Sequence, residues 1–166
     1  MKTAIDILKE ATEKVSKTLE MDITFQHGNT LTVVNYITAL REKGVKKVYP
    51  AVIVFTEGMI EKREEYFIEF MIQKIAICTL TKLNATEKQR LESTFQNIIY
   101  PIFESLQNTL DKLHYGFNFV LTRTDIPYFT DENKNTFNQL VDGCIIKNLK
   151  MKAMYEQCEV KLKINN

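Results

Sequence analysis

The most telling features of this 166-residue chain are its scarcities: no tryptophan, three prolines, five glycines, three cysteines and two histidines. Three widely spaced cysteines do not match the even-numbered framework of a small disulfide-rich domain, so we expect buried thiols. The longest unbroken apolar run, Ala51 to Phe55, is far shorter than the roughly 18 residues that indicate a membrane span. With 22 basic and 21 acidic residues, the chain also lacks the strong positive charge of a generic nucleic-acid binder.

The overall composition is that of an ordinary soluble domain, with 45% hydrophobic and 26% charged residues. The amino-terminal segment is charged throughout and has no apolar stretch of the kind that forms a secretory signal, which favours the cytoplasm. A chain of this length usually forms one domain. We therefore predict a single domain over 1–166, divided into an amino-terminal helix (1–20), an α+β core (21–155) and a carboxy-terminal strand (156–166).

The first part of the chain alternates between helical and extended patterns. Apolar residues recur every three or four positions over 3–20, which predicts an amphipathic helix. Residues 22–26 form an extended piece, and the His-Gly-Asn sequence at 27–29 is typical of a turn. The stretch 30–43 has β-branched residues, but its apolar positions share one helical face, so we predict a second helix.

The strongest helical signal is a long apolar stripe from Phe95 to Leu113. Asn84 or Thr86 is placed to cap its amino terminus. Pro101 lies inside the stripe and removes one backbone hydrogen bond, so we expect either a kink near Asn97 or two helices that share one face.

Strands are predicted in two groups. Ala51 to Phe55 is apolar on both faces, as in a central strand. Residues 66–80, also apolar on both faces, suit a long strand that pairs with it and has room for a bulge. The charged stretch 57–65 between them is interpreted as a solvated hairpin connection. These patterns predict an α+β fold built on a mostly antiparallel sheet.

The second group of strands lies near the carboxy terminus. Residues 117–122 form a short strand, and 123–138 is interpreted as a long polar excursion. In 144–155, one face is expected to carry Ile145, Leu149, Met151, Ala153 and Tyr155. The alternation then changes phase before 158–164, which requires a bulge or turn near Glu156.

Recognisable catalytic chemistry is absent from the sequence. There is no nucleophile elbow, phosphate-binding loop, dinucleotide fingerprint or metal-ligand spacing, so we predict no enzyme, no cofactor and no metal site. His27 fits a turn, and His114 fits the carboxy-terminal end of the long helix. Lysines at 147, 150, 152, 161 and 163 are interpreted as ordinary solvent-side strand positions.

Two charged segments are the candidates for contacts with other chains, because loops carry function on otherwise rigid scaffolds. The alternative interpretation is that they are merely solvated. The candidate contact residues are Glu57, Glu61, Arg63 and Glu65 in the first segment, and Arg123, Asp125, Asp131 and Glu132 in the second.

Five segments together resemble tail-terminator (tail-completion) proteins of tailed bacteriophages, particularly those of Bacteroides-like hosts. They are Phe25 to Asn29, Lys47 to Phe55, Ile75 to Leu80, Thr94 to Leu106 and Asn135 to Leu149. The similarity spans roughly 25–155 and keeps the order and spacing of the segments. The first helix, the last strand and the Gly143-Cys144 pair depart from the family pattern.

The resemblance implies a structural virion protein that forms a ring, commonly a hexamer, at the head-proximal end of the tail or in the neck. Its neighbours would be the tail tube and the head connector, and DNA would pass through without sequence-specific binding. The departures leave open a long or a short tail. The alternatives are a small cytoplasmic enzyme or binding module, and a regulatory protein that pairs through an edge strand.

Overall fold

A computed structural model of the chain describes residues 3–42, 48–65, 67–82, 84–113, 121–127 and 141–154. Together the helices and strands confirm the predicted α+β class with a mostly antiparallel sheet. In chain order they are α1 (Ala4–Thr18), β1 (Thr24–Gly28), α2 (Thr30–Glu42), β2 (Ala51–Phe55), β3 (Ile60–Arg63), β4 (Phe67–Leu80), α3 (Glu87–Arg90), a π-helical segment (Leu91–Ile99), α4 (Tyr100–Leu113), β5 (Arg123–Ile126) and β6 (Val141–Met154).

The six strands of the described residues form one mixed sheet, in which five follow the order β1-β2-β4-β6-β5. Strand β1 runs parallel to β2, and the other pairings are antiparallel. Strand β3 also pairs with β4, on the half of β4 that β2 leaves free. The long strands β4 and β6 are therefore the centre of the sheet, as the length of the 66–80 segment predicts for β4.

The two faces of the sheet carry separate apolar cores. One face, here called the α4 face, belongs to the core that includes α1, the π segment and α4. The other, called the α2 face, packs with Val33 of α2. Strand β2 serves both cores, because Val52 and Val54 point to the α4 face while Ala51, Ile53 and Phe55 point to the α2 face. This arrangement explains why all five residues of β2 are buried.

Helix α1 confirms the prediction made for 3–20 and packs against α4. The Thr3 hydroxyl accepts a hydrogen bond from the backbone N–H of Asp6, and the Asp6 carboxylate accepts one from the backbone N–H of Thr3. This reciprocal pair satisfies two of the free donors at the start of the helix. Helix α2 begins in a related way, since the Asn29 side chain accepts from the backbone N–H of Thr32.

The long helix accommodates Pro101 by a change of winding. Thr86 caps α3 through a second capping box with Gln89, as predicted. The π segment ends at Ile99, and the next residue, Tyr100, donates its backbone N–H to the Phe95 carbonyl, five residues back. Pro101 has no N–H and cannot donate the i→i−4 hydrogen bond of an α-helix. The helix accommodates this missing bond by changing to i→i−5 hydrogen bonds in the turns before the proline. The predicted apolar stripe belongs to the core from Phe95 to Leu110, with Ile98 partly buried.

Both central strands change phase at the same level of the sheet. Ile72 and Ile75 of β4 lie in the same core although they are three positions apart, and so do Ile146 and Leu149 of β6. Side chains alternate with period two, so each strand contains one irregular step. Asn148, with φ of +53°, marks this step in β6. We call this level of the sheet the crease.

The crease corrects one prediction about β6. Ile145 does not share a face with Leu149 and Met151, because it belongs to the α2-face core while they belong to the other. The change of phase predicted near Glu156 lies outside the described residues, as do the strand 158–164 and the side chains of Ala153 and Tyr155.

The interpretation of 57–65 as a hairpin connection is wrong over Ile60–Arg63, which is strand β3. Its register continues that of β2 along the same side of β4. Four residues (56–59), here called the bulge between β2 and β3, separate the two strands, and Gly58 among them has φ of +68°. The hairpin turn itself follows β3, where the Glu64 N–H donates to the Phe67 carbonyl. Pairing with the long β4 overrides the weak strand propensity of this charged sequence.

The interpretation of 123–138 as a polar excursion is wrong over Arg123–Ile126, which pairs with β6 as strand β5. The strand predicted at 117–122 lies mostly outside the described residues, and Leu121 and Thr122 are not in a strand. At the other edge of the sheet, β1 begins two residues later than predicted and includes His27 and Gly28.

The two cysteines in the described part of the chain are buried, as predicted, and Cys158 lies outside it. Cys78 lies in the α2-face core and Cys144 in the α4-face core. Burial raises the pKa of the Cys144 thiol to about 12 and also raises that of Cys78. These thiols therefore remain protonated at neutral pH and act as small apolar side chains.

Candidate functional site

Beyond the crease, the sheet continues as a three-stranded ribbon. We define the ribbon as β3, residues 67–72 of β4 and residues 149–154 of β6. Strand β5 pairs with β6 only at residues 143–146, which leaves the outer edge of the ribbon's β6 without a strand partner among the described residues. The outer edge of β3 is likewise unpaired in the described part of the chain. Unpaired edges of this kind expose backbone donors and acceptors to another chain.

The ribbon holds two of the predicted contact residues on its outer strand and a third in its hairpin turn. Arg63 pairs with Glu61, with 2.8 Å between Nε and Oε1, and both lie on β3. Glu65 is exposed in the turn that follows. Between the predicted residues lies Ile60, whose side chain is 49% exposed although it is large and apolar. Ile60 was not singled out by the sequence, where one apolar residue in a charged stretch gives no signal.

Glu57, by contrast, has a structural role. Its carboxylate accepts a hydrogen bond from the backbone N–H of Thr30, the first residue of α2. Burial acts to raise the pKa of Glu57, but the hydrogen bonds from Thr30 outweigh it, and the net effect is a lowered pKa. A carboxylate at a helix amino terminus is also favoured by the helix dipole. Glu57 thus ties the bulge between β2 and β3 to α2.

Arg123 and Asp125 come together with Tyr100 at the β5 edge. The Tyr100 hydroxyl donates to the Asp125 carboxylate over 2.7 Å, and the Arg123 guanidinium lies 3.7 Å from the centre of the Tyr100 ring. Arg123 Nε is also 3.3 Å from Asp125 Oδ1. Burial, followed by the hydrogen bond and charge of Asp125, raises the pKa of Tyr100, so the phenol stays protonated. The cluster is suited to holding β5 on α4 and not to proton transfer near pH 7.

A cavity of about 440 Å³ opens beside this cluster, against the first turns of the long helix. Leu91, Phe95, Tyr100 and Pro127 give it an apolar wall. Charged groups line it as well, and they are Glu87, Lys88, Arg90 and Asp125. π-helical winding often occurs at functional sites. The cavity is large enough for a small ligand or a single protruding side chain.

A buried polar group anchors the floor of the cavity to the sheet. Asp142 of β6 is fully buried, and its Oδ1 lies 3.5 Å from Nη1 of Arg90, which is only 7% exposed. The Thr94 hydroxyl is 3.1 Å from the other carboxylate oxygen of Asp142. Charged groups buried this deeply need such partners, because leaving water is costly for an ion. The π segment is therefore held on β6 by specific contacts as well as by apolar packing.

Several of these residues could not be found from the sequence. Arg90 lies 52 residues from its partner Asp142, and Tyr100 lies 25 residues from its partner Asp125. No local sequence pattern links residues at these separations. The predicted residues Asp131 and Glu132 lie outside the described residues, as does His114. His27, considered as a turn residue, is instead an exposed residue of β1.

Metal-binding clusters and membrane-spanning helices are both absent from the described residues. No group of three His, Cys, Asp or Glu side chains there is placed to hold a metal ion. None of the helices in the described ranges has the length and apolar character that crossing a bilayer requires. Comparisons with protein-family models, curated protein sequences and solved structures find no match to this chain.

Proposed function

We propose that this protein is a structural subunit that assembles into a ring at the head-proximal end of a bacteriophage tail or in the neck. The observation that carries the proposal is the ribbon, which has an open edge on each side within the described residues. A ring requires two different surfaces that meet head to tail and close by rotation. The two edges of the ribbon, β3 and β6, supply two such surfaces. The sequence resemblance to tail-terminator proteins supports the same function.

Strand directions make the proposed contact specific. Strands β3 and β6 both run antiparallel to β4 and so run parallel to each other. When a rotation relates one copy to the next, β3 of the second copy lies beside β6 of the first and runs parallel to it. Pairing of two identical edges would instead be antiparallel and would give a closed dimer. Six copies would place eighteen ribbon strands round the ring, and closed barrels of about 16–18 strands enclose a water-filled channel.

The decisive measurement is the mass in solution across a concentration series, by light scattering after size exclusion. We expect a discrete closed oligomer, or a concentration-driven shift towards one, with the hexamer as the expected size. A strict monomer at every concentration, or a dimer that grows no further, would contradict the proposal.

A matched pair of variants tests whether the ribbon makes the contact. Ile60→Asp places a charge on the exposed edge of β3, and we expect it to shift the oligomer to monomers. Leu31→Asp is the control, because Leu31 is 68% exposed on α2, a helix that contacts β1 and is not part of the ribbon. Both variants should keep the thermal stability of the parent, since neither side chain is buried. Equal loss of the oligomer in both variants would rule out the ribbon as the contact.

A binding module is the second candidate function, and the cavity beside Tyr100 favours it. Its apolar wall and charged rim suit a small ligand or an inserted side chain. A ligand screen by thermal shift would test it, with Leu91→Trp as a variant that fills the cavity. A small molecule that binds the monomeric parent but does not bind the Leu91→Trp variant would support this second function.

A further inference from the structure

The ribbon and the crease gather lysines from three strands on one face. Each of these lysines lies on the α2 face, as shown by its register partner or by the alternation of side chains along its strand. This part of the α2 face lies beyond the apolar core that contains Val33. The five lysines are Lys62 of β3, Lys74 of β4, and Lys147, Lys150 and Lys152 of β6.

The register brings two of these lysines directly opposite each other. Lys74 pairs with Lys147 across β4 and β6 at the edge of the crease. Like charges in directly opposed positions destabilise a sheet. Lys74 lies over the Phe55 ring, with its Nζ 4.4 Å from the ring centre, which keeps its charge on this face of the sheet. The folded chain therefore accepts a repulsion here that an anion on this face would relieve.

Carboxylates compensate part of this charge. Glu64 pairs with Lys62, Glu69 lies 3.7 Å from Lys152, and the charge of Lys74 helps to lower the pKa of Glu57. In the part of the chain that the structure describes, no carboxylate lies within ion-pair distance of Lys147 or Lys150. Both of these side chains are exposed. Five lysines against three carboxylates concentrate positive charge on this face, whereas the whole chain carries a net charge of only +1.

We propose that this lysine face contacts the phosphate backbone of duplex DNA without reading its sequence. Lysines from 147 to 152 extend over roughly 17 Å of strand β6. That length matches about five phosphates of one DNA strand measured along the helix axis. Among the ribbon side chains that the structure describes, Phe67 is the one aromatic group on this face, and Lys152 lies over its ring, 4.6 Å from the ring centre. Without a stacking platform, the face suits double-stranded and not single-stranded DNA.

The choice of DNA over an acidic protein rests on the proposed ring function. The α4 face of the ribbon belongs to the core that contains the helices. In a closed ring of ribbons, the opposite, lysine-bearing face is then the one left to line the channel. The next copy would also bring its Lys62 towards the β6 lysines, so a polyanion in the channel would favour closure of the ring.

The test is binding of a fluorescent DNA duplex of random sequence, followed by anisotropy at several salt concentrations. The Lys147→Glu/Lys150→Glu variant should bind about tenfold more weakly or worse, with a salt slope lower by about two. Lys147→Gln/Lys150→Gln provides a milder second variant in case charge reversal disturbs folding, and it should lower the slope by the same amount. The control is Lys14→Glu/Lys17→Glu, which has the same charge change and spacing on α1, where both lysines are exposed.

Each outcome decides the matter. Loss of binding in the β6 variants but not in the α1 control supports the proposal. No binding by the parent at 50 mM salt, equal loss in both double variants, or equal competition by poly-glutamate of matched charge overturns it. Variants that bind normally but aggregate would mean that the lysines only protect an open edge.

Light scattering on the same samples separates this proposal from that of the ring. A parent that forms the ring while its lysine variants bind DNA normally contradicts only the lysine face. A parent that stays monomeric but binds DNA through these lysines contradicts only the ring.

Discussion

Removing the Asp142 carboxylate should be among the most damaging single changes that can be made in this chain. Asp142 is fully buried at the start of β6, and Arg90, its partner on α3, is 7% exposed. In Asp142→Ala, the guanidinium stays buried without this carboxylate, and the Thr94 hydroxyl loses one acceptor. The change therefore affects the contact that holds the π segment on the sheet.

The expected magnitude follows from burial and distance. Breaking a buried ion pair by removing one partner costs about 3–5 kcal/mol. The separation of 3.5 Å between Nη1 and Oδ1 is long for a charged hydrogen bond, which places the cost near the lower limit. For a chain of this length, a loss of about 3 kcal/mol lowers the melting temperature by roughly 6–12 °C.

Urea and thermal unfolding of three variants measure this cost. Asp142→Asn keeps an acceptor for Thr94 and should lose about half as much as Asp142→Ala. Arg90→Met/Asp142→Leu replaces the pair by apolar side chains and should recover most of the stability. Glu104→Ala, an exposed change on α4, is the control for loss of a carboxylate. A cost below about 1 kcal/mol for Asp142→Ala, or a double variant as unstable as the sum of its single changes, would refute the reasoning.

Two further predictions concern the bulge between β2 and β3. Gly58→Ala should destabilise the protein by about 1 kcal/mol, because φ is +68° there and an added Cβ would lie 2.5 Å from the end of the Gln73 side chain. Gly58→Ala in a Gln73→Ala background removes the crowding, so any destabilisation that persists in urea unfolding measures the backbone alone. Glu57→Gln should lower stability near neutral pH by about 0.3–0.5 kcal/mol, a small value because the side chain is exposed. The Glu57 pKa is lowered in the folded state, so the difference from the parent should be present above pH 4.5 and vanish as the pH falls through the folded pKa. A difference that persists in acid would contradict this role.

Much of the fold could be predicted because its signals are local. The cap at Thr86, the apolar stripe that begins at Phe95 and the doubly buried β2 each depend on residues within a few positions of one another. Pro101 likewise indicates an interruption through its own missing N–H, and the structure shows the form that the interruption takes. Such features are set by periodicity and backbone chemistry, which a single sequence contains.

The errors occurred where pairing with a distant strand outweighed local preference. The residues of β3 and β5 are charged and polar, and only their registers with β4 and β6 make them strands. The phase change at Asn148 was missed because it occurs together with one in β4, so that the pairing register stays the same on both sides. A change of this kind leaves the list of apolar residues almost unaltered while it moves them between faces.

The sequence by itself determined the α+β class, the order of the main helices and strands, and the burial of Cys78 and Cys144, because these follow from apolar periodicity and composition. The tertiary structure alone decided which charges share a surface. It placed Lys74 opposite Lys147, joined Arg90 to Asp142 and set Arg123 over Tyr100. These contacts link residues 23 to 73 positions apart, as 100 to 123 and 74 to 147 illustrate, and only strand register and helix packing bring them together. Charge is carried by each residue, but an electrostatic surface is a property of the fold.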